Sequence, residues 1–245
     1  MHFKNINKDN IDIICKTYNI KNYIINSDMS INVDGDVNLR NKSLKSLPLK
    51  FNKVSGDFIC SFNILTSLKG CPIEVGGDFI CYWNLLMSLE GCPEKVGGDF
   101  SCYKNKLTSL LESPKKINGN FNCSVNELTS LKGCPKEVCG DFYCFENQLD
   151  SFCECPEKVS GDFYCFDNKI TSFEHLPLLM GGEFNCYNNP IYNIWELFED
   201  YDRIDFFNDC DPIREPDIII LDRLNFFLEK IGKDPVKKIE KYKCV

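Results

Sequence analysis

The sequence predicts a parallel β-rich solenoid of seven full 21-residue repeats and a partial eighth, with a small α/β N-terminal cap and a helical C-terminal cap. Three observations carry this. Gly35, Gly56, Gly77, Gly98, Gly119, Gly140, Gly161 and Gly182 recur every 21 residues without insertion or deletion. Two residues after each glycine stands Val37 or a phenylalanine (58, 79, 100, 121, 142, 163, 184), and two further on Leu39 or a cysteine (60, 81, 102, 123, 144, 165, 186), which is strand alternation. Three residues later comes an asparagine (63, 84, 105, 126, 147, 168, 189), followed by spaced apolar residues, so the consensus reads G-D-F-x-C-x-x-N-x-L-x-S-L. A unit this short cannot bury its own apolar positions; stacked in register, it buries each against its copy in the next turn.

Each element follows. Residues 1–34 form the N-terminal cap: Ile11, Ile14, Cys15 and Tyr18 have the spacing of a short amphipathic helix, and Tyr23–Ile25 and Ile31–Val33 read as strands around a turn at Ser27 and Asp28. Residues 35–198 are the solenoid, whose F-x-C segments stack into one parallel sheet with rungs about 4.8 Å apart. The asparagine sits where the chain leaves the sheet, and its amide is placed to bond backbone of its own coil and of the next. Cys-Pro pairs at Cys71, Cys92, Cys134 and Cys155 make the return segment extended or short-turned. Residues 199–245 are the C-terminal cap. There Leu221, Leu224, Phe227, Leu228 and Ile231 make one apolar helix stripe, opened by Pro216 and Asp217 and stopped by Gly232.

The run Phe58-x-Cys60-x-x-Asn63-x-Leu65-x-x-Leu68 and its near-copies resemble the L-x-L-x-x-N-x-L-x-x-L core of leucine-rich repeats. The phrase Asn-x-Leu-Thr-Ser-Leu at Asn126 to Leu131 is similar to the short-repeat kind of bacterial effectors, and the G-D-F-x-C variant resembles repeat proteins of giant amoebal DNA viruses and some phages. The resemblance spans residues 35 to 198 and implies a leucine-rich-repeat-like solenoid. A viral source would place it in host cytoplasm or in a virion.

Composition narrows the function classes. A chain of 245 residues with 28 Lys plus Arg against 36 Asp plus Glu has a formal charge of -8, which predicts neutral or basic partners and argues against nucleic acid and membrane. The polar N-terminal stretch lacks a secretory h-region, so a reducing, intracellular compartment is expected. In-register thiols stand near 4.8 Å apart, beyond disulfide reach. The strand column and the Cys-Pro column therefore read as core; Cys153 and Cys155 form a C-x-C near Cys139 that lacks a second pair at zinc spacing, so no metal and no cofactor are expected. The Asp column (36, 57, 78, 99, 141, 162, with Asn120 and Glu183) reads first as turn chemistry accepting backbone bonds, and second as a negative stripe. The Thr-Ser pairs lack histidine company and read as turn hydroxyls; no P-loop, G-x-S-x-G or H-E-x-x-H is present, so no enzyme is expected.

The outward strand and strand-end positions are more informative, since large aromatics gain nothing from water. They carry Ile59, Phe62, Ile80, Tyr82, Trp83 and Tyr103, then Tyr143, Phe145, Tyr164, Phe166 and Tyr187. Ser101, Asn122 and Ser124 form a polar gap that suggests two sub-sites. Of these, Ile80, Tyr82, Trp83, Tyr103, Tyr143, Phe145, Tyr164, Phe166 and Tyr187 are the candidate partner-binding residues. The reading is a non-catalytic protein–protein interaction module, monomeric or self-associating. The alternative is a self-assembling virion-type component. An effector-type ubiquitin ligase is the lesser rival, because only Cys210 and Cys244 lie beyond the repeats, in a tail too short for such a domain.

Overall fold

The computed structural model describes residues 7–215 and 218–245. It shows two long sheets of regularly spaced short strands, the arrangement of a repeat solenoid. The first, here the phenylalanine sheet, is eight-stranded and runs from Val37–Asn38 to Phe184–Asn185, with Phe58 beside Phe79, Phe79 beside Phe100, and so on in parallel register. The second was not foreseen in the sequence. Each return segment, expected to be extended or short-turned, makes a strand, four residues long at Phe51–Val54 and two in the rest, such as Glu74–Val75 or Lys95–Val96; these seven and the two N-terminal strands stack into a nine-stranded valine sheet. A residue pair is the smallest unit that can bond to a neighbour, so the return segment announces itself only through its buried column of Val54, Val75, Val96, Ile117, Val138 and Val159.

Between the sheets lies a dry interior. In the strand column every phenylalanine from Phe58 to Phe163 and every cysteine from Cys60 to Cys186 is fully buried, whereas Cys139 and Cys153, off the column, are exposed. Phe79 and Phe100 stack with ring centres 5.5 Å apart, and Phe100 and Phe121 at 5.3 Å. Burial pushes the Cys123, Cys144 and Cys165 thiols well above their ordinary range and that of Cys186 up to about 12, so these four stay protonated. All sixteen cysteines are free.

Two polar columns tie successive coils together. The Asn84 amide donates to the Cys81 carbonyl of its own coil (3.0 Å) and to the Cys60 carbonyl of the preceding one (3.0 Å), while its oxygen accepts from Leu65 N–H (2.9 Å). The partner is thus the preceding coil as well as its own, where the sequence suggested the next. Asp57 Oδ1 accepts from Asp78 N–H (2.8 Å), Asp78 from Asp99 (2.8 Å), and Asp99 from Asn120 (2.7 Å). The aspartates do accept backbone bonds where the strand begins, but from the next coil 21 residues on and not within their own turn as the sequence suggested. This bond also explains the glycine column: a Cβ on Gly98 would stand 2.1 Å from Asp78 Oδ1, so the side-chain-to-backbone bond requires glycine there by close approach and not by backbone angle.

The broken Cys-Pro column has a physical reason too. Cys92 Sγ donates to the Glu112 carbonyl (2.8 Å), Ser113 Oγ to Gly133 (2.6 Å), Cys134 Sγ to Glu154 (3.0 Å) and Cys155 Sγ to His175 (2.9 Å). Serine at 113 keeps a small donor in the slot, whereas Leu176 at the same offset has none to offer. The serines of the Thr-Ser pairs accept from backbone two residues on, as Ser67 does from Lys69 N–H (3.1 Å).

At the N-terminal end, helix α1 (Lys8–Thr17) opens with an Asn7 capping box and buries Ile11 and Cys15, and Tyr23–Ile25 pairs antiparallel with Ile31–Val33, which joins the valine sheet. At the other end the chain forms α2 (Tyr192–Trp195), α3 (Ile204–Cys210) and α4 (Leu221–Lys230). The α4 stripe buries Leu224, Phe227 and Leu228, and Gly232 follows with φ of +76°. Its proposed opening at Pro216 and Asp217 lies outside the described residues; the helix is entered from Ile220. This end is not purely helical: Ile213–Glu215, Ile218–Ile219 and Lys243–Cys244 make a small sheet. Their strand signals are only two or three residues long, too short for alternation to register.

Candidate functional site

The outward side of the phenylalanine sheet is fixed by alternation: with Phe and Cys facing in, the residue between them and the one after the cysteine face out. The structure divides the candidate residues into two clusters. In the first, Ile80, Tyr82 and Tyr103 are half-buried and Trp83 is 42% exposed. Tyr82 meets Phe62 edge-on at 5.4 Å and Tyr103 at 6.3 Å, and Phe62 stacks on Trp83 at 5.2 Å. The Tyr82 hydroxyl accepts from Arg40 Nη1 (2.9 Å).

In the second cluster Tyr143 stacks on Tyr164 (5.4 Å, 3°) and Phe145 on Phe166 (4.4 Å, 8°), all four half-buried. Tyr143 donates to Asp141 Oδ2 (2.6 Å) and Tyr164 to Asp162 Oδ2 (2.9 Å). Burial and the adjacent Asp141 push the Tyr143 phenol up; the Asp162 bond first, then burial, pushes that of Tyr164 up to about 12. Tyr187 lies beyond them, 59% exposed and packed edge-on against Tyr192. Between the clusters Ser124 is buried, its N–H and hydroxyl both donating to the Asn122 side-chain oxygen, while Ser101 and Asn122 are half-buried.

Sequence reasoning missed part of the first cluster. Ile64 (40%), Leu85 (40%) and Met87 (68%) stand exposed on the turn that leaves the sheet. The signal was a departure from the repeat: at the offset of Ile64 and Leu85 the other coils carry Lys106, Glu127, Gln148 and Lys169, and at that of Met87 they carry Thr66, Thr108 and Thr129. Arg40 and Lys104 belong to the cluster too. The Arg40 guanidinium lies over the Phe62 ring at 4.5 Å, and the Lys104 ammonium over Trp83 at 3.8 Å.

At another corner, an open groove of about 1080 Å³ is lined by Lys50, Cys71, Ile73, Cys92, Leu111 and Lys116, among others. Burial raises the Cys92 thiol to about 12, so it carries no thiolate at neutral pH, and its proton goes to the Glu112 carbonyl. Among the described residues no group of three or more His, Cys, Asp or Glu is placed to hold a metal ion, and no helix is long and apolar enough to cross a membrane. No family model and no curated protein matches the chain.

Proposed function

We propose that this chain is a non-catalytic protein–protein interaction module that holds a partner on the outward face of the phenylalanine sheet. The observation that supports it is the in-register display of half-exposed aromatic side chains on a backbone already fixed by its interior. Ring-rich anchors with little rotamer freedom left to lose are the usual centre of a binding surface. A leucine-rich-repeat-like use of the sheet face agrees with this reading, as does a reducing compartment for sixteen unpaired thiols.

The test is site-specific photo-crosslinking in lysate of the native host. With p-benzoylphenylalanine in place of Tyr103 or Tyr143, a heterologous partner is expected to be captured; with the same probe in place of Lys95 or Lys158, on the valine sheet, it is not. Capture only from the valine sheet would overturn the proposal. Capture of nothing but further copies of the chain would overturn it in favour of the self-assembling component.

A further inference from the structure

The turn that leaves the phenylalanine sheet runs as a continuous edge along the solenoid, because the period never changes. Its second residue after the strand cysteine, or after Leu39 in the first coil, is left-handed throughout: φ is 53° at Asn41, 54° at Phe62 and Trp83, 52° at Lys104, 53° at Val125 and Asn188. Asparagine at either end is the comfortable choice for that conformation, whereas large aromatic side chains are held there against their preference. What they gain is a continuous stack. Arg40, Phe62, Trp83 and Lys104, one from each of four successive coils, lie ring on ring with a cation at both ends. The Arg40–Tyr82 bond spans Ser61, which is fully buried with its hydroxyl unpartnered.

The charges on this edge are sharply divided. Its first four turns, residues 40–46, 61–67, 82–88 and 103–109, hold Arg40, Lys42, Lys45, Lys104 and Lys106 and no acidic residue. The following three, 124–130, 145–151 and 166–172, hold Glu127, Glu146, Asp150 and Asp167 against Lys169. None of the five cations enters an ion pair with a described residue. A chain of net charge -8 thus carries an unneutralised basic pole, and the exposed Ile64, Trp83, Leu85 and Met87 sit in the middle of it.

We infer that this pole binds an acidic segment of a partner protein that also presents apolar side chains. The inference rests on the reading of the chain as a protein-binding module and places the contact on the edge of the sheet instead of its centre. Opposite charge would draw the segment in, and the apolar centre would anchor it. Arg40 to Lys104 spans three rungs, about 14 Å, the length of roughly four extended residues. Other occupants fit less well. Nucleic acid bases have no free ring face to stack on, since the Phe62 and Trp83 faces are taken by each other and by the two cations. An anionic bilayer lying along this edge would also meet its acidic half. A second copy meeting the pole with its own acidic turns would bring only Phe145 and Phe166, which are half-buried and already stacked on each other, and its dimerisation is an outcome of the test.

The experiment is a random-peptide display selection on the immobilised full chain, followed by titration of the selected peptides. Trp83 emission reports binding, since the second tryptophan, Trp195, is only 8% exposed. Selected peptides are expected to be acidic with aromatic or aliphatic residues. They should bind at least about tenfold more weakly to the double variant Lys104→Glu and Lys106→Glu, and more weakly in added salt. Trp83→Ser, followed by anisotropy of a labelled peptide, should weaken binding similarly while the melting temperature is kept. Four results would overturn the inference: selection of no peptide or of basic ones, acidic peptides indifferent to the charge reversal, sedimentation of the chain with phosphatidylserine vesicles through Lys104 and Lys106, or dimerisation that those substitutions abolish. Peptides that instead lose affinity on Tyr143→Ser with Tyr164→Ser would sink the edge assignment and leave the module reading standing.

Discussion

The first four strands of the phenylalanine sheet and the last four share one backbone, one interior and one set of cross-coil bonds, yet they present opposite surfaces. On the N-terminal side cations lie on aromatic faces and carboxylates are absent from the turn. On the C-terminal side two tyrosines are tied to aspartates of their own strands, and the turn is acidic. Residues pointing into the stack cannot vary without disturbing two neighbours, while residues pointing out answer only to what they meet. Architecture is therefore written in what repeats, and recognition in what departs from it.

The equality of the two interiors can be broken first. Phe79→Ala and Phe163→Ala each remove a fully buried ring and should each cost about 3 to 5 kcal/mol in urea denaturation. Values that differ widely between the halves would mean that one end is looser than the other. Next in size is the aspartate column. Gly98→Ala and Gly161→Ala should each cost about 1 to 3 kcal/mol, because the new methyl meets Asp78 or Asp141 and pushes its carboxylate off the backbone N–H it holds. Again the halves should respond alike.

A smaller effect of opposite sign is expected at the left-handed turn position. Val125→Asn should stabilise by about 1 kcal/mol, since a β-branched residue is poorly suited to φ of 53°, and Asn41→Val should do the reverse. The smallest effect sharpens the contrast between the halves by pH. Bonds to Lys95 and Lys53 hold the Glu74 carboxyl down to about 2, against an ordinary 4.5. A depressed folded-state value means that this bridge stabilises above about 4.5 and is lost as the pH falls through about 2. Glu74→Gln should flatten the melting-temperature profile in that window only slightly, because the bridge is exposed.

Much of this was legible in the residues. A column of phenylalanine, cysteine and asparagine at unchanging intervals allows few packings, and the N-terminal helix and hairpin were spelled out by Ile11 to Val33. The valine sheet was not, because a strand of two residues has no period. Nor were α3 and the small C-terminal sheet, which are held by packing around Phe207 and Phe227 that no local pattern reports. On the surface, the outward aromatic positions could be read, Phe62 and Trp83 among them, whereas the left-handed turn that holds those two, with no glycine to mark it, could not. The basic pole was hidden by the total: a net charge of -8 describes the whole chain and says nothing about where its lysines gather.

Because the asparagine and aspartate columns tie each coil to the coils on either side of it, through partners 19 to 24 residues away, the coils are interchangeable parts. Excising one whole period, residues 119–139, would set the coil of Gly98 against that of Gly140 with the same bonds and shorten the axis by about 4.8 Å. The stretch from Arg40 to Lys106 would be untouched, and only its distance from the far end would change. Gain or loss of such units in a gene would tune the reach of the molecule in fixed steps, as links are added to a chain, without redrafting the part that grips.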